Sequence, residues 1–437
     1  MNAVDAPSAW PLGVQEQALP ELRQVLGAGA VSAGLALAPT GREGVLTDGE
    51  ARQAAQAWGI AEESDRGPGS GGGVVIVLVD GLGLELLCER KGHAPTLRSW
   101  LAEAQASACG PAAVTCRPST TAAALTTLGT GATPGVTGMV GYSVLSPLID
   151  RARRTGAPSH EDNLCLITWE GRAPEPRAWQ DVPTLFQRLE LAEGVTRSTK
   201  GQSAPLAVTI GPARFAGSGL TEAGLRGTPH LGADLMESRP ALAAGALRRG
   251  VRLVYLYVGE LDHAGHGHGW RSAQWLAQLE RLDAAMAELA RRVPRGTRII
   301  LTADHGMVDT SQDLRIDVTQ EPELAKDVIG LAGEPRFSQL YVPGADAEIA
   351  QEVAERWRRV LGERALWVGT WDEAEQALGP VGPRARSVLG DVLVAMDGAW
   401  VVVDPRVHSE QAIAMPGVHG SFTQAEMSVP LLLTRAG

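Results

Sequence analysis

Three short, largely apolar runs punctuate the chain, at Val74 to Val79, Leu253 to Val258 and Arg298 to Ala303. Runs of this length, bounded by turn residues, predict strands buried on both faces of a parallel sheet. Between them the spacing of apolar residues becomes helical. The clearest case is Ser272 to Val293, where Leu276, Leu279, Leu282, Ala285, Met286 and Leu289 recur on one face. Similar patterns predict helices over Thr96 to Ala104, Thr121 to Leu128 and Pro183 to Leu191. Strands alternating with helices in this way predict an α/β fold, with a mostly parallel central sheet and helices on both faces.

The same pattern divides the chain. Residues 1–60 form an N-terminal segment expected to pack on the core, with short helices over Gln15 to Leu26 and Gly49 to Trp58. Residues 61–73 end in Gly-Pro-Gly-Ser-Gly-Gly-Gly, the composition of a flexible linker. The core is expected over 74–310 and 411–437. Residues 311–410 read as an α+β insert capping it. They offer a strand at Phe337 to Val342, a helix at Ala347 to Leu361, a strand at Leu366 to Val368, a helix at Asp372 to Leu378 and a hairpin at Val392 to Val403. The insert, with segments around Tyr142 and Trp169, is expected to line the pocket. No internal repeat is evident.

Composition narrows the partners. A net charge of -11 disfavours a nucleic-acid polymer or an anionic membrane, both of which are bound by clustered Lys and Arg. A small phosphorylated molecule stays compatible if bound cations reverse the local sign. Four cysteines at irregular spacing form neither a disulfide framework nor a Cys-x-x-Cys pair. With no basic and apolar leader in Met1 to Gly13, and no apolar stretch long enough to span a bilayer, a cytoplasmic protein is expected.

Candidate chemistry clusters at the ends of the predicted strands. Asp80 follows Val79, Asp262 and His266 follow Val258, Asp304 and His305 follow Ala303, and His419 sits in a late Gly-Val-His-Gly. In open α/β sheets ligands bind at the carboxyl ends of strands, so residues distant in sequence can converge there. Three carboxylates and three imidazoles suit two divalent metal ions, zinc with manganese as the alternative. The glycines of Asp262-His263-Ala264-Gly265-His266-Gly267-His268-Gly269 argue against a regular helix and for a bent loop. A lone Asp-His pair is more often a turn, and glycine-flanked His263 and His268 read as exposed loop residues. A nucleophile is expected in Val114 to Thr121, where Pro118 and several hydroxyls open a helix. A hydroxyl there lies near free amides and the positive helix end, and metal binding would help deprotonate it.

This order of motifs resembles the alkaline phosphatase superfamily, and within it the type I phosphodiesterase and nucleotide pyrophosphatase family. The resemblance covers residues 74 to 310 and returns at 417 to 421. It implies Thr121 as the nucleophile, nine residues before Thr130-Gly131. It also implies one metal on Asp262, His266 and His419, and another on Asp80, Asp304 and His305 with Thr121 beside it. The implied reaction is cleavage of a phosphodiester or pyrophosphate in a small molecule, nucleotides included, through a phosphothreonine intermediate.

Two departures bear on the substrate. Ala124 stands where nucleotide pyrophosphatases carry an Asn, and no Arg-centred clamp of a monoesterase is evident. Within the superfamily a phosphomonoesterase or phosphomutase is the nearest alternative. A sulfatase would use the Cys of Cys-x-Pro-Ser-Arg, but here Cys116-Arg117-Pro118-Ser119 is followed by Thr120. A non-catalytic, metal-stabilised interaction protein would have no need of a hydroxyl beside its ligands.

Overall fold

The computed structural model describes residues 19–61, 73–154, 156–169, 174–194 and 204–437. Its central sheet has six strands in the spatial order Leu432–Arg435, Arg298–Thr302, Val74–Val79, Leu253–Val258, Ala207–Gly211, His230–Gly232. Neighbours run parallel, except that Leu432–Arg435 is antiparallel to Arg298–Thr302. The fold is therefore α/β, with a mostly parallel sheet flanked by helices. The three apolar runs are neighbours in mid-sheet, where Val77 pairs with Leu256 on one side and Leu301 on the other. Every residue of Val74–Val79 is buried, so the run shows no alternation of polar and apolar positions.

Helix Ala273–Arg292 matches its periodicity. Ser272 caps it by accepting from the Trp275 amide, and Leu279, Leu282, Met286 and Leu289 are buried. Helix Leu22–Ser32 begins later than the expected Gln15. The Pro20 carbonyl accepts from the Val114 amide, which holds the chain extended there, and Glu21 and Gln24 form a capping box. Its Gly29 lies so close to strand Val74–Val79 that a Cβ would stand 2.7 Å from Ile76 Cδ1. Residues 15–18 of the expected helix, and 62–72 of the Gly-rich stretch, lie outside the described residues. Among the described residues no helix is long and apolar enough to cross a membrane.

The later segment contains a second, antiparallel sheet in the order Gly330–Glu334, Phe337–Tyr341, Val392–Met396, Ala365–Thr370. Helix Ala347–Leu361 buries Val353 and Trp357 in a separate apolar cluster with Leu340, Val392 and Val394. The expected hairpin at 392–403 does not form. Val401–Val403 instead pairs parallel with Arg315–Asp317. After Met396 the amides find other acceptors: Asp397 N donates to Arg364 O and Val402 N to Pro335 O, which draws the chain out of the sheet. Arg336 and Glu426 join this segment to the central fold through a bidentate ion pair with both side chains fully buried.

Candidate active site

Adjacent strands deliver the acidic residues to one place. Asp80 follows Val74–Val79 directly, and its amide donates to Val258 O at 2.8 Å. Asp304 follows the next strand, and its Oδ1 accepts from the Gly81 and His305 amides at 3.1 and 3.0 Å. Its Oδ2 is left facing Asp80 and His305.

Asp262 and His266 come from a helix, Glu260–His268, rather than from the expected loop. Four residues apart, they share one helix face. Gly265 serves packing and not chain reversal: a Cβ on it would meet Met307 Sδ at 2.3 Å, and one on Gly417 would meet Gly265 O at 2.3 Å. That contact brings the strand Gly417–Val418 against the helix. The same strand pairs antiparallel with Val308–Asp309, which places His419 beside Asp304 and His305.

All three imidazoles are held the same way. Nδ1 of His266 lies 2.8 Å from Gly417 O, that of His419 2.9 Å from Ser119 O, and that of His305 3.0 Å from Gly306 O. Each Nδ1 therefore donates to a carbonyl, and each Nε2 presents a lone pair. His305 Nε2 is 3.4 Å from both Asp80 Oδ1 and Asp304 Oδ2. His266 Nε2 is 3.4 Å from Asp262 Oδ1 and 3.3 Å from His419 Nε2, and the latter is 3.8 Å from Asp262 Oδ1. His305 also stacks on His419 with ring centroids 3.6 Å apart, so it adjoins both groups of donors. The structure thus brings all six sequence-predicted ligands together.

The charges of this cluster fit a cation. Asp80 Oδ1, Asp262 Oδ1 and Asp304 Oδ2 are buried and accept no hydrogen bond among the described residues. Burial, with repulsion from Asp304 and Asp262, pushes the Asp80 carboxyl well above the ordinary carboxylate range. Burial raises Asp304 as well. The His419 imidazole is driven well below its usual range by burial and by His305 and His266, which keeps it neutral and able to ligate. Lone carboxylate oxygens facing lone imidazole nitrogens are a donor set for divalent metal ions.

Among the hydroxyls of the 114–121 run, Thr115 Oγ1 donates to Asp304 O and Ser119 Oγ to Ser421 O. Thr121 Oγ1 instead stands 3.2 Å from His305 Nε2. Thr121 is the first residue of helix Thr121–Thr130, whose N-cap Thr120 makes no side-chain cap, so the amides of the first turn remain suited to an anion. Cys116 lines a different cavity with Glu21, Thr127 and Leu378, and burial pushes its thiol up to about 12.

Thr121 opens onto a cavity of about 320 Å³ whose walls include Leu125, Ile167, Thr168, Phe215, Tyr255 and Tyr257. No wall residue comes from 311–410, contrary to the expectation that the insert would line the pocket. Of the two expected aromatic segments, the one beside Trp169 contributes. Tyr257, not singled out in the sequence, donates its hydroxyl to Asp80 Oδ2 at 2.5 Å. The signal was two tyrosines two residues apart in an otherwise aliphatic run, which puts both rings on one face of the strand.

The sequence model of the type I phosphodiesterase / nucleotide pyrophosphatase family matches residues 74–421. The chain belongs to this family. It is accordingly a hydrolytic enzyme. No curated protein matches the sequence. Among solved structures, phosphonoacetate hydrolase from Sinorhizobium meliloti 1021 in complex with phosphonoacetate is 19% identical, with a TM-score of 0.58 over 83% of this chain and 89% of that one. Murine ectonucleotide pyrophosphatase / phosphodiesterase 5, in an inactive form in complex with AMP, is 15% identical, with a TM-score of 0.56 over 82% and 87%. The human counterpart is 16% identical, with a TM-score of 0.54 over 83% and 87%. At these identities the likeness is one of fold.

Proposed function

We propose that this family member uses two divalent ions, zinc or alternatively manganese, to cleave a phosphodiester or pyrophosphate bond in a small phosphorylated molecule, with Thr121 as the nucleophile. The observation that carries the reading is the convergence of three unanswered carboxylate oxygens on three Nε2 atoms, with Thr121 Oγ1 3.2 Å from one of them. Asp80, Asp304 and His305 would hold one ion, and Asp262, His266 and His419 the other. Bound ions would neutralise phosphoryl oxygens and favour ionisation of a nearby hydroxyl.

The chain's own groups supply the rest. Thr121 Oγ1 bonds to phosphorus as the bond to the leaving oxygen breaks, and water then cleaves the Oγ1–phosphorus bond and restores the threonine. Ala124 carries no donor side chain, and its amide is spent on Thr120 O at 2.9 Å. The amides of Thr121, Ala122 and Ala123 are thus the protein donors available to the oxyanion. The bound phosphonoacetate of one structural relative makes a phosphonate a second substrate class, in which the bond broken would be phosphorus–carbon and the departing carbon would take up a proton.

Hydrolysis of bis-p-nitrophenyl phosphate, p-nitrophenyl phosphate, p-nitrophenyl sulfate and phosphonoacetate by the zinc- or manganese-loaded protein tests the reading. Preference for the diester is expected. Preference for the sulfate, or full metal content without turnover of any of the four, would overturn it.

A further inference from the structure

The 311–410 segment gives no wall to the Thr121 cavity, yet its buried side chains reach the back of the ligand cluster. Arg336 lies in the two-residue turn between strands Gly330–Glu334 and Phe337–Tyr341. Its Nη1 donates to Trp400 O at 2.7 Å and to Asp397 O at 3.3 Å, which fixes the guanidinium within its own segment. The other donors reach across to Glu426, Nε to Oε1 at 3.0 Å and Nη2 to Oε2 at 2.6 Å. Both side chains are fully buried. Any departure from this arrangement would leave a charge with neither water nor partner, so the pair holds one geometry.

Glu426 in turn holds the chain just past two of the imidazoles. Its Oε1 accepts from the Ser421 amide at 3.0 Å, two residues beyond His419, and its carbonyl accepts from the Gly306 amide at 2.8 Å, one residue beyond His305. Ser421 passes the constraint on. Its carbonyl accepts from Ser119 Oγ at 2.6 Å, and Ser119 O receives His419 Nδ1 at 2.9 Å. Glu334, from the same segment as Arg336, fills the space beside Gly420, where a Cβ would lie 2.5 Å from Glu334 Cγ. The residue before Glu426 closes the remaining gap. Ala425 O would stand 2.9 Å from a Cβ on Gly83 and 1.8 Å from one on Gly306, so helix Gln424–Met427 has no slack against the turns after Asp80 and His305.

We propose that Arg336 is a positioning residue: through Glu426 and Ser421 it sets the His419 imidazole, and with it the ion that Asp262, His266 and His419 would hold. The inference rests on the two-ion reading of the site. It gives the 311–410 segment a part in that site as a support behind the ligands, where a wall of the pocket was expected. Substitution of the Arg336 side chain leaves the bond from the Gly306 amide to the Glu426 carbonyl in place, so the ion on Asp80, Asp304 and His305 is disturbed less. Partners that orient a ligand from behind govern metal affinity by about 10–100-fold.

Titration of the metal-free full chain with cobalt(II), followed by visible absorption and by competition with a chelator, provides the test. Wild type is expected to bind two ions. Arg336→Met combined with Glu426→Gln leaves no buried charge unpaired, so the metal-free variant is expected to fold, while the side chain at 426 loses its anchor. One ion is expected to bind roughly 10–100-fold more weakly with an altered absorption band, and the other to stay within about threefold of wild type. Arg336→Lys, which keeps a cation against Glu426 without the fork, is expected to fall between the two, and it decides by the same measurements if the double variant does not fold. Two ions bound with wild-type affinity and absorption would overturn the proposal. Equal weakening of both ions would overturn it as well, because a pair that only supports overall stability does not choose between sites. Either result leaves the two-ion reading standing, whereas wild type that binds fewer than two ions would overturn that reading and the inference together.

Discussion

The Tyr257 hydroxyl donates to Asp80 Oδ2 at 2.5 Å, while Asp80 Oδ1 accepts no hydrogen bond among the described residues. One oxygen is thus fixed by a neighbour and the other is turned toward His305 Nε2. Fixing a ligand from behind raises metal affinity by sparing it reorganisation. Tyr257→Phe is expected to weaken zinc binding roughly 10–100-fold, measured by competition with a chromogenic chelator. A change below about twofold would show that the hydroxyl does not orient Asp80.

The contact between Gly265 and Gly417 makes a sharper structural prediction. A Cβ on Gly417 would lie 2.3 Å from Gly265 O, a backbone atom that cannot step aside without moving the helix bearing Asp262 and His266. Gly417→Ala is expected to cost about 1–3 kcal/mol in chemical unfolding and to weaken metal binding with it. Gly267, in the same helix, has nothing within 4 Å of its Cβ position. Gly267→Ala is expected to stabilise by roughly 0.5–1 kcal/mol, since only the backbone preference of glycine is lost.

The acidic cluster fixes the direction of a pH effect. Asp80 and Asp304 have raised pKa values in the folded, metal-free protein, so their contribution to stability is present at acid pH and is lost as pH rises through those values. A metal ion reverses this, because it requires the ionised carboxylates. His419, held neutral by its lowered pKa, adds little proton competition near neutral pH. The Tm difference between zinc-loaded and chelator-treated protein is expected to widen from about pH 5 to about pH 8. A gap that is flat or narrows would contradict this assignment of the charges.

Much of this was legible in the sequence because the sheet is parallel and buried. Strands covered on both faces must be continuously apolar, and a polar residue directly after such a strand, as at Asp80 and Asp304, marks its carboxyl end. The helix at Glu260–His268 was misread because glycine reports two different things. Freedom to bend and close approach of another backbone look alike in sequence, and at Gly265 and Gly417 it is the approach that governs. The hairpin expected at 392–403 failed for a related reason. Two apolar runs four residues apart suit a hairpin, but the choice of partner strand was made by distant carbonyls on Pro335 and Arg364. Tyr255 and Tyr257 passed as ordinary strand residues, since only the folded chain shows which hydroxyl is answered.

Thr121 carries the central claim. Zinc-loaded wild type and Thr121→Ala, with metal content measured on both, should be compared in hydrolysis of bis-p-nitrophenyl phosphate. The account predicts equal metal content and a loss of turnover on the order of a thousandfold or more, as removal of a nucleophile entails. A variant that keeps its metal and turns over at the wild-type rate would contradict it.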